Sequence, residues 1–98
     1  MDNKKNMTES ILDVLEKRTI RGREMYVGVT TEELITLLKQ WPDILLQCEG
    51  VITRWVRYDH WHHRIGITDN NYFDWYSQRD FRKYYGDWYW FFTTDNFL

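Results

Sequence analysis

A single cysteine, Cys48, is all the chain offers for disulfide chemistry. Small secreted domains are usually stapled by an even set of cysteines, so one thiol points to a reducing compartment, and a cytoplasmic location is expected. No apolar run approaches the roughly 20 residues of a membrane span, so no membrane partner is expected. Met1 to Asn6 is polar with no apolar stretch behind it, which argues against a signal peptide. There is no glycine-rich phosphate loop, and the acidic residues are scattered among basic ones, so no acid–base pair stands out. Net charge is small as well: 13 Lys and Arg face 15 Asp and Glu, giving −2. That excludes the strongly basic surface of a general nucleic-acid coat and the extreme acidity of a disordered tail. No enzyme activity, cofactor or metal is therefore expected.

Aromatic residues are what the chain has in excess. They make up 18% of the sequence, and all but Tyr26 and Trp41 come after Gly50. The densest run is Tyr72 to Phe92. Rings bury much area per residue, so part of this run must be core. A domain of 98 residues is nevertheless too small to hide so many rings on one half of itself. Phe73, Phe81, Phe91 and Phe92 carry no polar atom and are expected inside, against Leu34, Leu38 and Ile52. Tyr72, Tyr76, Tyr84, Tyr85 and Tyr89 can leave a hydroxyl at the surface.

Along the chain, residues 1–7 are expected to be disordered and residues 8–98 to form one domain. Thr8 or Ser10 can cap a first helix through Ile11, Leu12 and Leu15 to about Arg18. Arg21-Gly22-Arg23 ends it or opens a loop, and Met25 to Val29 reads as a short strand weakened by Gly28. Thr30 and Glu33 make a capping box, and Leu34, Ile35, Leu37, Leu38 and Trp41 give the following helix one apolar face. Pro42 stops that helix or starts the next. Asp43 to Tyr58 is read as helix, although VITRWVRY also suits a strand. Arg64 to Tyr76 reads as a hairpin around Asp69-Asn70-Asn71. The tail fits either a helix through Phe81, Tyr84, Tyr85, Trp88 and Phe92 or a final strand from Asp87 to Thr93.

The expected fold is therefore a small α+β domain: N-terminal helices, then a C-terminal β-hairpin or small sheet, with a winged-helix-like arrangement leading. Cys48 falls on an apolar face, where a thiol is inert. His60, His62 and His63 fit a polar turn better than a metal site. Tyr26-Val27-Gly28-Val29-Thr30 resembles part of the GIY-YIG nuclease signature over five residues. Ser10 to Glu16 contains no first half of that signature, so a strand before a capped helix is preferred.

Three functions follow, in order. The first is a non-enzymatic protein-binding module, an inhibitor or adaptor of the phage or mobile-element type, or a homodimer. Its expected surface is Arg54, Arg57, Tyr72, Tyr76, Arg79, Arg82, Tyr84, Tyr85 and Tyr89, because Tyr, Trp and Arg dominate binding hot spots. The second is a winged-helix DNA-binding regulator using Arg54 and Arg57. Between Val51 and Tyr85, six basic residues face only four acidic ones, a thin surplus for phosphate contacts. The third is a metal-dependent enzyme using the histidines.

Overall fold

A computed structural model describes residues 11–41, 45–50, 52–69 and 71–97. Residues 11–14 are helical, and the chain then enters a hairpin. Its strands are Glu16–Ile20 (β1) and Arg23–Thr30 (β2), with Ile20 opposite Arg23. Arg21 and Gly22 make the turn at φ 53° and 77°, the left-handed pair that a two-residue type I′ turn demands. That turn draws residues 16–20 into a ladder, so the helix expected to reach Arg18 ends at residue 14. The expected disordered residues 1–7 and the caps Thr8 and Ser10 lie outside the described residues. In β2 the register shifts between Tyr26 and Val29, where Gly28 takes φ 62°. The glycine marks a bulge within a strand that continues past it.

The helix Thr31–Gln40 (α1) forms as the sequence predicts. Thr30 Oγ1 accepts the Glu33 amide at 3.2 Å, and the Glu33 carboxylate accepts the Thr30 amide at 3.0 Å. Leu34, Ile35, Leu37 and Leu38 are all buried, giving the helix one apolar face.

Beyond α1 the expectation fails. Leu45–Cys48 (β3) and Arg54–Asp59 (β4) are antiparallel strands, not helix. Leu46, Cys48, Val56 and Tyr58 alternate inward at period two, and the chain turns back on itself around Gly50. Pro42, Ile44 and Val51 lie outside the described residues. Arg64–Asp69 (β5) and Tyr72–Ser77 (β6) complete the sheet in the order β3-β4-β5-β6. The expected hairpin is present, but Asp69 belongs to the ladder, opposite Tyr72. Both readings of the tail hold in part: Gln78–Tyr85 (α2) is a helix capped by Ser77, and Tyr89–Thr93 (β7) is a strand. A 3₁₀ turn, Thr94–Phe97, follows.

β7 pairs with β2, so the second sheet runs β1-β2-β7. Among the described residues the two sheets meet at one bridge, where the Glu49 amide donates to the Phe91 carbonyl at 2.7 Å. Both helices lie on the same side, sharing a core with Leu46, Val56, Ile65, Ile67 and Phe92. The radius of gyration is 13.4 Å, the value of a single compact domain of this length. This mostly-β architecture replaces the expected helices followed by a small sheet, and with them the winged helix. Among the described residues no helix is long and apolar enough to cross a membrane.

One buried polar contact ties the layers together. Thr31, 1% exposed, donates its hydroxyl to the Tyr85 carbonyl and accepts the Trp90 indole N–H at 2.9 Å. The start of α1, the end of α2 and β7 thus meet at one oxygen. Thr31→Val keeps the shape but strands the buried Trp90 indole N–H, while the Tyr85 carbonyl keeps the Trp88 amide, so it is expected to cost about 1–3 kcal/mol. Thr31→Ser, which keeps the hydroxyl, is expected to lose less than half of that. Urea denaturation of the two variants checks the difference.

Candidate partner-binding face

Strand alternation gives the four-stranded sheet two unlike faces. Residues directly opposite one another share a face. One row, Leu46-Val56-Ile67, points to the helices and is buried. The neighbouring row, Leu45-Arg57-Gly66-Trp75, points the other way, as does Trp55 beside it on β4. No described helix lies on this outer side. Leu45 and Trp55 are 41% and 39% exposed, Arg57 is exposed, and Phe73 and Trp75 are half-buried.

Gly66 explains why two large rings sit there. Phe73 and Trp75, from β6, lie 5.7 Å apart and lean across the glycine on β5. A Cβ on residue 66 would come within 2.9 Å of Trp75 Cζ3 and 3.0 Å of Phe73 Cδ1. The rings thus cover a backbone that has no side chain of its own. Arg64 lies over the Trp75 ring, its guanidinium carbon 4.4 Å from the centroid. Arg64 Nε also donates to Asp59 Oδ2 at 3.1 Å.

Asp59 is the anchor of the β4–β5 turn. Its Oδ1 accepts the Trp61 amide at 3.1 Å, and His62 Nδ1 lies 2.8 Å from Oδ2. The His62 contact above all, with Arg64 and the two backbone amides, holds the Asp59 carboxyl at about 2. The three histidines each take a different neighbour: His60 packs on Trp61, His62 binds Asp59, and His63 Nδ1 lies 3.4 Å from the Tyr58 hydroxyl. No group of three or more His, Cys, Asp or Glu among the described residues is placed to share a metal.

The nine expected binding residues do not form one surface. Arg57 alone belongs to the outer sheet face, and no ion pair links it to another described residue. Arg54 and Tyr89 line a cleft of about 370 Å³ where β3 and β7 diverge, together with Ile52, Trp88 and Trp90. Arg54 donates to the Thr68 carbonyl at 2.8 Å and lies 5.8 Å from the Trp88 ring centroid. Buried Cys48 backs this cleft, and burial pushes its thiol up, as an inert core cysteine requires. Tyr76 and Tyr85 are half-buried in a ring cluster with Phe81, and burial first, then the Tyr76 hydroxyl, pushes the Tyr85 phenol up to about 12. Arg82 binds Glu32 at 2.7 Å, joining α2 to α1. Arg79 is exposed on α2, and Tyr72, Tyr84 and Tyr89 are 76%, 59% and 70% exposed.

Of the phenylalanines expected inside, Phe81 and Phe92 are fully buried while Phe73 and Phe91 are half-buried. Ile52, expected to pack against them, is 64% exposed. The residues missed on the outer face are Leu45, Trp55, Phe73, Trp75 and Arg64. Their signal was the parity of VITRWVRY and YFDWYS read as strands, which places Trp55 with Arg57 and Phe73 with Trp75. Comparison with known proteins adds nothing to this geometry, since no family model, no curated protein and no solved structure matches the chain.

Two outcomes test this local geometry. Gly66→Ala must push both rings aside and is expected to destabilise by about 1–3 kcal/mol, with a change in tryptophan fluorescence. Asp59 titrates below its unfolded value of about 3.9. Its contribution is therefore present above about pH 4 and is lost as pH falls towards 2. The protection factors of the Trp61 and His62 amides, taken against intrinsic exchange at each pH, are expected to fall over that window in the native protein and to be low already at pH 6 in Asp59→Ala.

Proposed function

We propose that the chain is a non-enzymatic protein-binding module of the inhibitor or adaptor kind, acting inside the cell through the outer face of its four-stranded sheet. Arg57 is the observation that carries this reading. It stands exposed between Trp55 and Leu45 on one side and the Phe73–Trp75 pair over Gly66 on the other. Tryptophan and arginine side by side on an exposed sheet face are the residue types that dominate interface hot spots. The rings are fixed by Gly66 and Arg64, so little side-chain entropy is lost when a partner covers them.

The chemistry of the partner follows from the same residues. Leu45, Trp55 and Trp75 need apolar cover, and Arg57 needs a carboxylate or carbonyl acceptor. A protein surface carrying an acidic residue within an apolar patch supplies both.

The test is affinity capture from the native host, with the unmodified chain compared against Trp55→Ala, Arg57→Ala and a control, Trp61→Ala. Trp61 is 81% exposed but lies on the β4–β5 turn, off the face. Each face substitution is expected to cost about 2 kcal/mol, roughly 30-fold in affinity, while the control retains the partner. Recovery of nucleic acid in place of a protein, or retention of the protein by both face variants, overturns the reading.

A further inference from the structure

The two outermost strands of the fold differ in a way that bears on assembly. β1 is one outer strand, and its sequence Glu16-Lys17-Arg18-Thr19-Ile20 is wholly exposed and mostly charged. Charged side chains, lysine above all, are what natural sheets use to keep a foreign strand from pairing with an edge. β6 is the other, and it carries fewer of these guards: a single charge, Asp74, on the row of Ile67. Tyr72-Phe73-Asp74-Trp75-Tyr76-Ser77 contains no lysine and no proline, one charge, and an unbroken six-residue register with β5. Among the described residues no strand pairs with its far side. The rings that would shield that side lean the other way, over Gly66. α2 follows directly and turns its buried Phe81 towards Tyr76, on the helix side of the strand.

We propose that β6 pairs antiparallel with β6 of a second copy of this chain, joining two four-stranded sheets into one of eight strands. A second copy fits because an antiparallel strand can pair with itself about a two-fold axis. Such an axis places one residue opposite itself, which leaves two registers with five pairs each along this strand. Centring on Asp74 sets two carboxylates face to face, which is unfavourable. Centring on Trp75 sets Asp74 beside the Tyr76 of the other copy and Phe73 beside Ser77, with no like charges opposed. Trp75 then faces its own copy, and both rings have room because each leans towards Gly66. The two-fold keeps both outer faces on one side, so the aromatic strip runs across the join. This inference does not depend on the outer face binding a protein.

Sedimentation equilibrium of the full chain from about 1 µM to about 500 µM tests it, since an interface of one short strand is expected at the weak end of the range. A reversible rise to twice the chain mass is expected. Hydrogen exchange over the same range is expected to show amides of β6 gaining protection with concentration while those of β1 do not. Asp74→Lys, which introduces the missing guard at an exposed position, is expected to weaken the dimer about tenfold or more. A monomer throughout the range overturns the proposal, and so does a dimer whose added protection lies outside β6. The exchange measurement needs no substitution, so the outcome holds even if Asp74→Lys misfolds.

Discussion

The Thr31 hydroxyl is the contact on which the arrangement of layers depends. It is buried, it uses both its donor and its acceptor, and its partners come from elements far apart in the sequence. An unpartnered indole N–H in that core would cost more than the bond itself returns, so the position is decided by satisfaction more than by gain. With α1 fixed to the end of α2 and to β7, Phe81 stacks on Trp90 at 6.0 Å, and Tyr85 closes the group at 4.9 Å from Phe81. The ion pair between Arg82 and Glu32 repeats the link at the surface, where it is screened and adds little. The capping box beside Thr31 sets where α1 starts, and hence where the hydroxyl stands.

Once both helices are held on one side, the other side of the four-stranded sheet is left to its own side chains. This is where the aromatic excess divides. The rings of Trp90, Phe81, Phe92 and Tyr85 fill the space between helices and sheets, while Phe73 and Trp75 cover the Gly66 backbone, with Arg64 over Trp75. Half-buried rings packed on a strand differ from an exposed tyrosine such as Tyr84. They hold one geometry before any partner arrives. Along β6 the division follows strand parity and not the chemistry of the ring, which is why Phe73 and Trp75 lie outward and Tyr76 inward.

How much of this was legible follows from the range of each signal. The helix Thr31–Gln40 was readable because its cap, its acids and its apolar face all lie within ten residues. The β5–β6 hairpin was readable for the same local reason. β1 was not, since its five exposed residues carry no pattern of burial and only the Arg21-Gly22 turn marks it. β3 and β4 were misread because Leu45, Cys48, Ile52 and Trp55 also fit a helical stripe, and only the long-range ladder decides between the two periods. The expected binding surface inherited that error. Arg54 and Arg57 differ by three residues, one face on a helix but opposite faces on a strand. The structure separates them, Arg54 to the cleft and Arg57 to the outer sheet.

The charge on that outer face also bears on what kind of partner suits it. Two arginines stand there, but Arg64 is committed to Asp59 and to the ring of Trp75. Arg57 is the guanidinium left with no ion pair to a described residue. A duplex or a single strand is held by neutralising several phosphates in a row, and its affinity scales with their number. One uncommitted cation cannot supply that term, and aromatic stacking alone would want a more basic groove around it. A single arginine within an apolar patch has its largest effect when water is excluded and one acceptor is presented to it, as at the centre of a protein interface. Under the proposed reading the surrounding rings supply that exclusion, and one carboxylate, not a polyanion, is what Arg57 would take.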